Sequence, residues 1–141
     1  MSVYSVVRQE EMTGCGIASV ANILGITYQE AKEQANALGI YAEDELLYSD
    51  TQYVRTLLSH YSMHSHSDET PFTTWQALPD LALLAIKHYQ EAGQNFWHWV
   101  VFKRIEGQDW VFDSSMSLAK NLRDDLDQIQ PKWFIPVNHG R

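Results

Sequence analysis

The hydrophobic pattern of this chain changes period about halfway along, and that change points to a fold in which helices precede a sheet. In the first half Ile17, Val20, Ala21 and Leu24 recur at helical spacing, and Gly25 is placed to end that helix. Thr27 is positioned to cap a second helix, from about Tyr28 to Leu38, closed by Gly39. A third runs from about Asp50 to Tyr61, with Ser49 or Asp50 as its cap and Tyr53, Val54, Leu57, Leu58 and Tyr61 as its apolar side. A short extended start is expected at Val3 to Val7, and the polar stretch from Ser62 to Phe72 reads as a long surface loop.

The second half is strand-like. Leu81 to Ile86 is a nearly continuous apolar run, and Phe96 to Arg104 is rich in aromatic and β-branched residues. Glu106-Gly107 lies in a turn, and Trp110 to Phe112 resumes the same composition, which predicts a hairpin. A short helix near Asp124 to Ile129 and a last strand over Trp133 to Val137 complete an α+β order. Trp97 to Phe102 offers a hydrophobic strand edge for a second copy, with the oligomeric state otherwise open.

At 141 residues and without internal repeats, the chain is sized for a single domain, 1–141. A formal charge of −8 repels phosphate backbones and anionic lipid, so nucleic-acid and membrane partners are disfavoured. The start of the chain has no signal-peptide pattern and no apolar run reaches membrane-spanning length, so a cytoplasmic protein is expected. The single cysteine, Cys15, can form no internal disulfide and is therefore a packed small side chain, a reactive thiol or an intermolecular crosslink.

Its neighbourhood favours the reactive thiol. If the first helix begins near Gly14 with Thr13 as cap, Cys15 lies in the first turn, where free N–H groups and the helix dipole favour an anion. Gly16 beside it would leave room for a substrate backbone. Of the six histidines, His98 sits inside a core strand, sharing a face with Val100 and Phe102 and opposite Trp97 and Trp99. A four-residue hairpin loop would set His98 directly across from Asp113. A two-residue turn at Glu106-Gly107 would make them diagonal neighbours on one face, and a three-residue loop would separate them. Asp113 is then the group that orients the imidazole, and Gln9, on the loop before the helix, is a second oxyanion donor beside the Cys15 N–H.

The segment Gln9 to Leu24 (QEEMTGCGIASVANIL), the histidine of HWVVF and the aspartate of VFDSS resemble the signature blocks of the double-glycine leader, or bacteriocin-processing, cysteine peptidases of the papain-like clan. The resemblance runs from Gln9 to about Ser115. It implies a papain-like fold, with Cys15 as nucleophile, His98 as base, Asp113 as orienter and Gln9 in the oxyanion role. The chemistry so implied is acyl transfer from a peptide or protein substrate through a thioester, with no metal or organic cofactor. The same residues would also serve a glutamine deamidase or transglutaminase, and a non-catalytic peptide-binding module is the remaining alternative. His60, His64 and His66 are spaced for a metal, but their polar segment matches no closed zinc motif.

Overall fold

The computed structural model describes residues 4–139. Three helices, α1 (Cys15–Leu24), α2 (Tyr28–Ala37) and α3 (Gln52–His60), pack on one face of an antiparallel sheet. Its strands are β1 (Met63–Ser65), β2 (Thr70–Pro71), β3 (Leu81–Glu91), β4 (Gln94–Ile105), β5 (Gln108–Phe112), β6 (Leu122–Arg123) and β7 (Trp133–His139). The order across the sheet is β1-β7-β3-β4-β5-β6, and β2 also pairs with β7.

Alternation divides the sheet's apolar residues between two cores. Leu83, Ala85, Trp97, Trp99, Val101, Phe112 and Ile135 face the helices. Ala82, Leu84, Ile86, Val100, Phe102, Val111 and Phe134 form the opposite face, covered by Leu78, Ile129 and the flanking Phe72, Trp75 and Leu126. Burial on both faces explains why β3 reads as a continuous apolar run. Buried on nearly every side, α1 is the hub of the first core, and Asn22 on it fixes the incoming chain by bonding both Val7 N (2.7 Å) and Val7 O (3.1 Å). Val7 is thus tied down without joining a strand, and Val3 of the expected extended start lies outside the described residues.

Gly25 ends α1 in the left-handed region (φ 72°), and the Thr27 hydroxyl accepts from Glu30 N at 3.1 Å to cap α2. Other expectations are corrected. Thr13 does not cap α1: its hydroxyl donates to Ala42 O, and Gly14 stands at the N-cap without a side-chain bond. Thr51 immediately precedes α3, while Asp50 Oδ1 accepts from Gln52 N at 2.7 Å. The supposed long loop from Ser62 to Phe72 carries β1 and β2, because backbone pairing to β7 needs no side-chain pattern and Met63 supplies a buried anchor. The helix expected over Asp124 to Ile129 is one 3-10 turn, Leu126–Gln128. Trp97 to Phe102 lies in a central strand rather than an edge strand, with β3 paired along one side and β5 along the other from Val101 onward.

Both long hairpins close with two-residue turns whose residues have positive φ: Ala92-Gly93 (53° and 79°) and Glu106-Gly107 (54° and 80°). Such turns match the twist of the flanking strands, and glycine at the second position carries the conformation without strain. The second turn sets Val101 opposite Phe112 and Arg104 opposite Asp109. This is the two-residue register, so the direct pairing of His98 with Asp113 is replaced by a diagonal one. Among the described residues no helix is long and apolar enough to cross a membrane.

Candidate active site

Cys15 is the first residue of α1, and β4 passes beneath it just where β5 has ended. The vacated edge of β4 turns a backbone donor outward, and Trp99 N–H meets Cys15 Sγ at 3.4 Å. This contact joins positions 84 residues apart and fixes the sulfur over the strand that carries His98. The thiol is free and only 7% exposed.

His98 Nε2 lies 2.8 Å from Asp113 Oδ1, the diagonal contact that a two-residue turn allows. With Nε2 engaged, Nδ1 is the ring nitrogen left for the sulfur. Burial works against a charged imidazole, but the Asp113 hydrogen bond and the neighbouring Cys15 outweigh it and push the His98 pKa up to about 9. Asp113 is wholly buried. Burial alone would raise its pKa, but the bond to His98, then the Ser115 N–H (3.1 Å) and the Arg123 guanidinium, hold it below the usual carboxylate range.

Gln9 is brought to the same end of the molecule by a bond from its N–H to Ser114 O (3.0 Å), the residue after Asp113. Its Oε1 accepts from Ser114 Oγ at 2.8 Å, and its Nε2 donates to Glu11 O (3.0 Å) and Met12 O (3.2 Å). The amide is therefore buried and folded onto its own loop in this state. No role for Ser114 was legible in the sequence, since a serine following an aspartate carries no distinctive signal. Arg123 was missed as well. It donates from Nη1 to Asp113 Oδ2 at 3.0 Å, a contact that depends on how the segment after β5 folds back.

Gly16 does not leave the open space expected of it, and Gly14 on the other side of Cys15 is as tightly packed. A Cβ on Gly16 would fall 2.5 Å from Cζ and 2.6 Å from Cε2 of Tyr53, a buried ring of α3. On Gly14 it would strike the Tyr28 hydroxyl of α2, which itself bonds Glu11, the partner of Lys32. Both glycines thus serve close helix packing rather than substrate approach.

His60, His64 and His66 are not gathered into a site. His60 pairs with Gln34 Oε1 (2.9 Å) and His66 Nδ1 accepts from Asp68 N (3.3 Å). Among the described residues no group of three or more His, Cys, Asp or Glu side chains is placed to hold a metal ion.

A cysteine at the start of a buried helix, packed on an antiparallel sheet that carries a histidine and an aspartate, is the architecture of papain-like cysteine peptidase domains. The α+β fold is of that class. Among solved structures the chain is similar to a double glycine motif protease from an AMS/PCAT transporter, determined in complex with the leader peptide. The two share 16% identity with a TM-score of 0.57, over 96% of this chain and 91% of that one, so the likeness establishes the fold. No protein-family model matches the chain, and no curated protein does.

Proposed function

We propose that this chain is a cysteine peptidase that cleaves a peptide bond through a thioester, with Cys15 as nucleophile, His98 as base and acid, and Asp113 as orienter. The observation that carries the reading is an imidazole bonded through Nε2 to a buried carboxylate, on the strand whose Trp99 N–H holds the chain's single thiol. His98 takes the thiol proton at Nδ1, the thiolate attacks the carbonyl carbon, and the imidazolium returns the proton to the leaving amine. Water then hydrolyses the thioester, with the imidazole as general base. The oxyanion is met by the Cys15 N–H, a first-turn donor without a partner inside the helix, and by Gln9, which exchanges its longer bond, to Met12 O, for the substrate oxygen.

A peptide or protein is the substrate class, as the structurally similar protease was determined with its leader peptide. The reading places the enzyme in the cytoplasm, where a solitary thiol stays reduced. It also fixes the sign of the alkaline limb. A raised His98 pKa lets the imidazole keep the proton it takes from the thiol at neutral pH, and activity falls as pH rises through about 9, when that proton, needed by the leaving amine, is lost.

The test is mass spectrometry of a peptide library incubated with wild type and Cys15→Ala. Paired fragments that together equal substrate plus water, produced by wild type alone, are expected. Exchange of a glutamine amide for a carboxyl without chain cleavage would point to the deamidase instead. Unchanged peptides, or equal cleavage by Cys15→Ala, would remove the peptidase reading.

A further inference from the structure

The carboxylate that orients His98 is itself held from behind. After β5 the chain loops out and returns as β6, fastened by Asn121, whose Nδ2 donates to Asp113 O (2.7 Å) and Ser115 O (2.8 Å) and whose carbonyl accepts from Asp113 N (3.0 Å). This return sets Arg123 opposite Val111 and sends its guanidinium to the end of β5. Nη1 donates to Asp113 Oδ2 at 3.0 Å. On the outer side Nε and Nη2 form a fork with both oxygens of Asp125, at 3.0 and 2.9 Å. The Arg123 side chain is 13% exposed and Asp113 is wholly buried, so the inner contact is shielded from water while Asp125 reaches the surface.

The result is a row of groups of alternating sign from the surface inward, Asp125, Arg123, Asp113 and His98, that leads to the Cys15 sulfur. Resting on the hydrolase reading above, we infer that Arg123 is a positioning residue, which holds Asp113 Oδ1 on His98 and lets two anions, the carboxylate and the thiolate, flank one imidazolium. Both parts follow from chemistry. With Oδ2 fixed by a rigid planar donor, the carboxylate cannot rotate away from the imidazole. Without the guanidinium's positive charge, the cluster of Cys15, His98 and Asp113 gains a net negative charge once the thiolate forms, which delays that step to higher pH. The titratable groups facing His98 are Cys15 from α1 and Asp113 after β5, with Arg123 of β6 and Asp125 behind it, and β3 offers it the uncharged Ile86. A role confined to fastening β6 would cost stability and leave the pH dependence of the thiol unmoved.

The experiment measures the rate of iodoacetamide alkylation of Cys15 from about pH 5 to about pH 9 in wild type, Arg123→Ala, Arg123→Gln and Arg123→Lys, with thermal unfolding to establish that each is folded. Arg123→Ala and Arg123→Gln are expected to move the acid-side midpoint up by about one pH unit, and Arg123→Lys is expected to retain most of the wild-type profile. Should Arg123→Ala fail to fold, Arg123→Gln, closer in size, carries the same prediction. A folded Ala or Gln variant with an unmoved midpoint, or Lys behaving as Ala does, would overturn the inference and leave the hydrolase reading standing. Alkylation of wild type that is indifferent to His98→Ala would instead overturn the hydrolase reading and, with it, the role of Arg123.

Discussion

Asp113→Asn is expected to leave the protein folded while lowering turnover by about 10²- to 10⁴-fold, and Asp113→Ala is expected to cost about 3–5 kcal/mol of stability as well. The difference follows from the two donors on this carboxylate. His98 occupies Oδ1 and Arg123 occupies Oδ2, so an amide of the same shape can satisfy only one of them. With its oxygen toward the permanently charged Arg123, its NH₂ faces His98 Nε2, and the imidazole must accept there. The ring proton then moves to Nδ1, the nitrogen needed to take the thiol proton, and the base is lost although the packing survives. Alanine removes both acceptors, leaving His98 without its anion and the inner N–H of Arg123 unpaired in a water-poor site, with only Asp125 still on the guanidinium. Urea unfolding and hydrolysis rates of the three proteins check this pair. Wild-type turnover in Asp113→Asn would be the contrary result.

Gly16→Ala is expected to destabilise the protein by about 1–3 kcal/mol despite alanine's better helix propensity. The added methyl falls onto the Tyr53 ring, which is buried between α1 and α3 and has little freedom to retreat. Any retreat also shifts the first turn of α1, and with it the sulfur's contact to Trp99 N–H. Gly25→Ala is the comparison that isolates the cause, because nothing lies within 4 Å of a Cβ there and the cost is only that of φ 72°. Thermal unfolding of both variants should show the larger loss at Gly16, and a neutral Gly16→Ala would mean that the two helices pack less closely than described.

The helices were readable because Ile17, Val20 and Ala21 are buried in α1 with Leu24 packed half-buried against the same core, and Gly25, which ends α1, and Thr27, which caps α2, act locally. The same holds for the site, where a Cys-Gly at a helix start, a histidine among strand residues and an aspartate beyond a Glu-Gly turn were brought to one end of the molecule. What the sequence hid depends on long-range contacts. The Thr13 hydroxyl turns to Ala42 O rather than to its own helix, and the space beside Gly14 and Gly16 is filled by tyrosines from two other helices. The strands β1 and β2 pair through backbone groups that leave no trace in residue type. Arg123 reaches Asp113 only because the intervening segment folds back through Asn121, and one arginine among ten basic residues carries no signal of that.

The central claim is that folding makes the sulfur of Cys15 and the imidazole of His98 a single chemical unit, and the rate of thiol alkylation in wild type and His98→Ala reports on it most directly. An ordinary thiol titrates at about 8.5, so a protein that has lost its imidazole should react about 100-fold more slowly than wild type at about pH 6. Wild-type alkylation sustained at that pH and lost in His98→Ala is the predicted outcome. Equal rates in the two proteins, or a wild-type thiol that no small electrophile can reach, would contradict it.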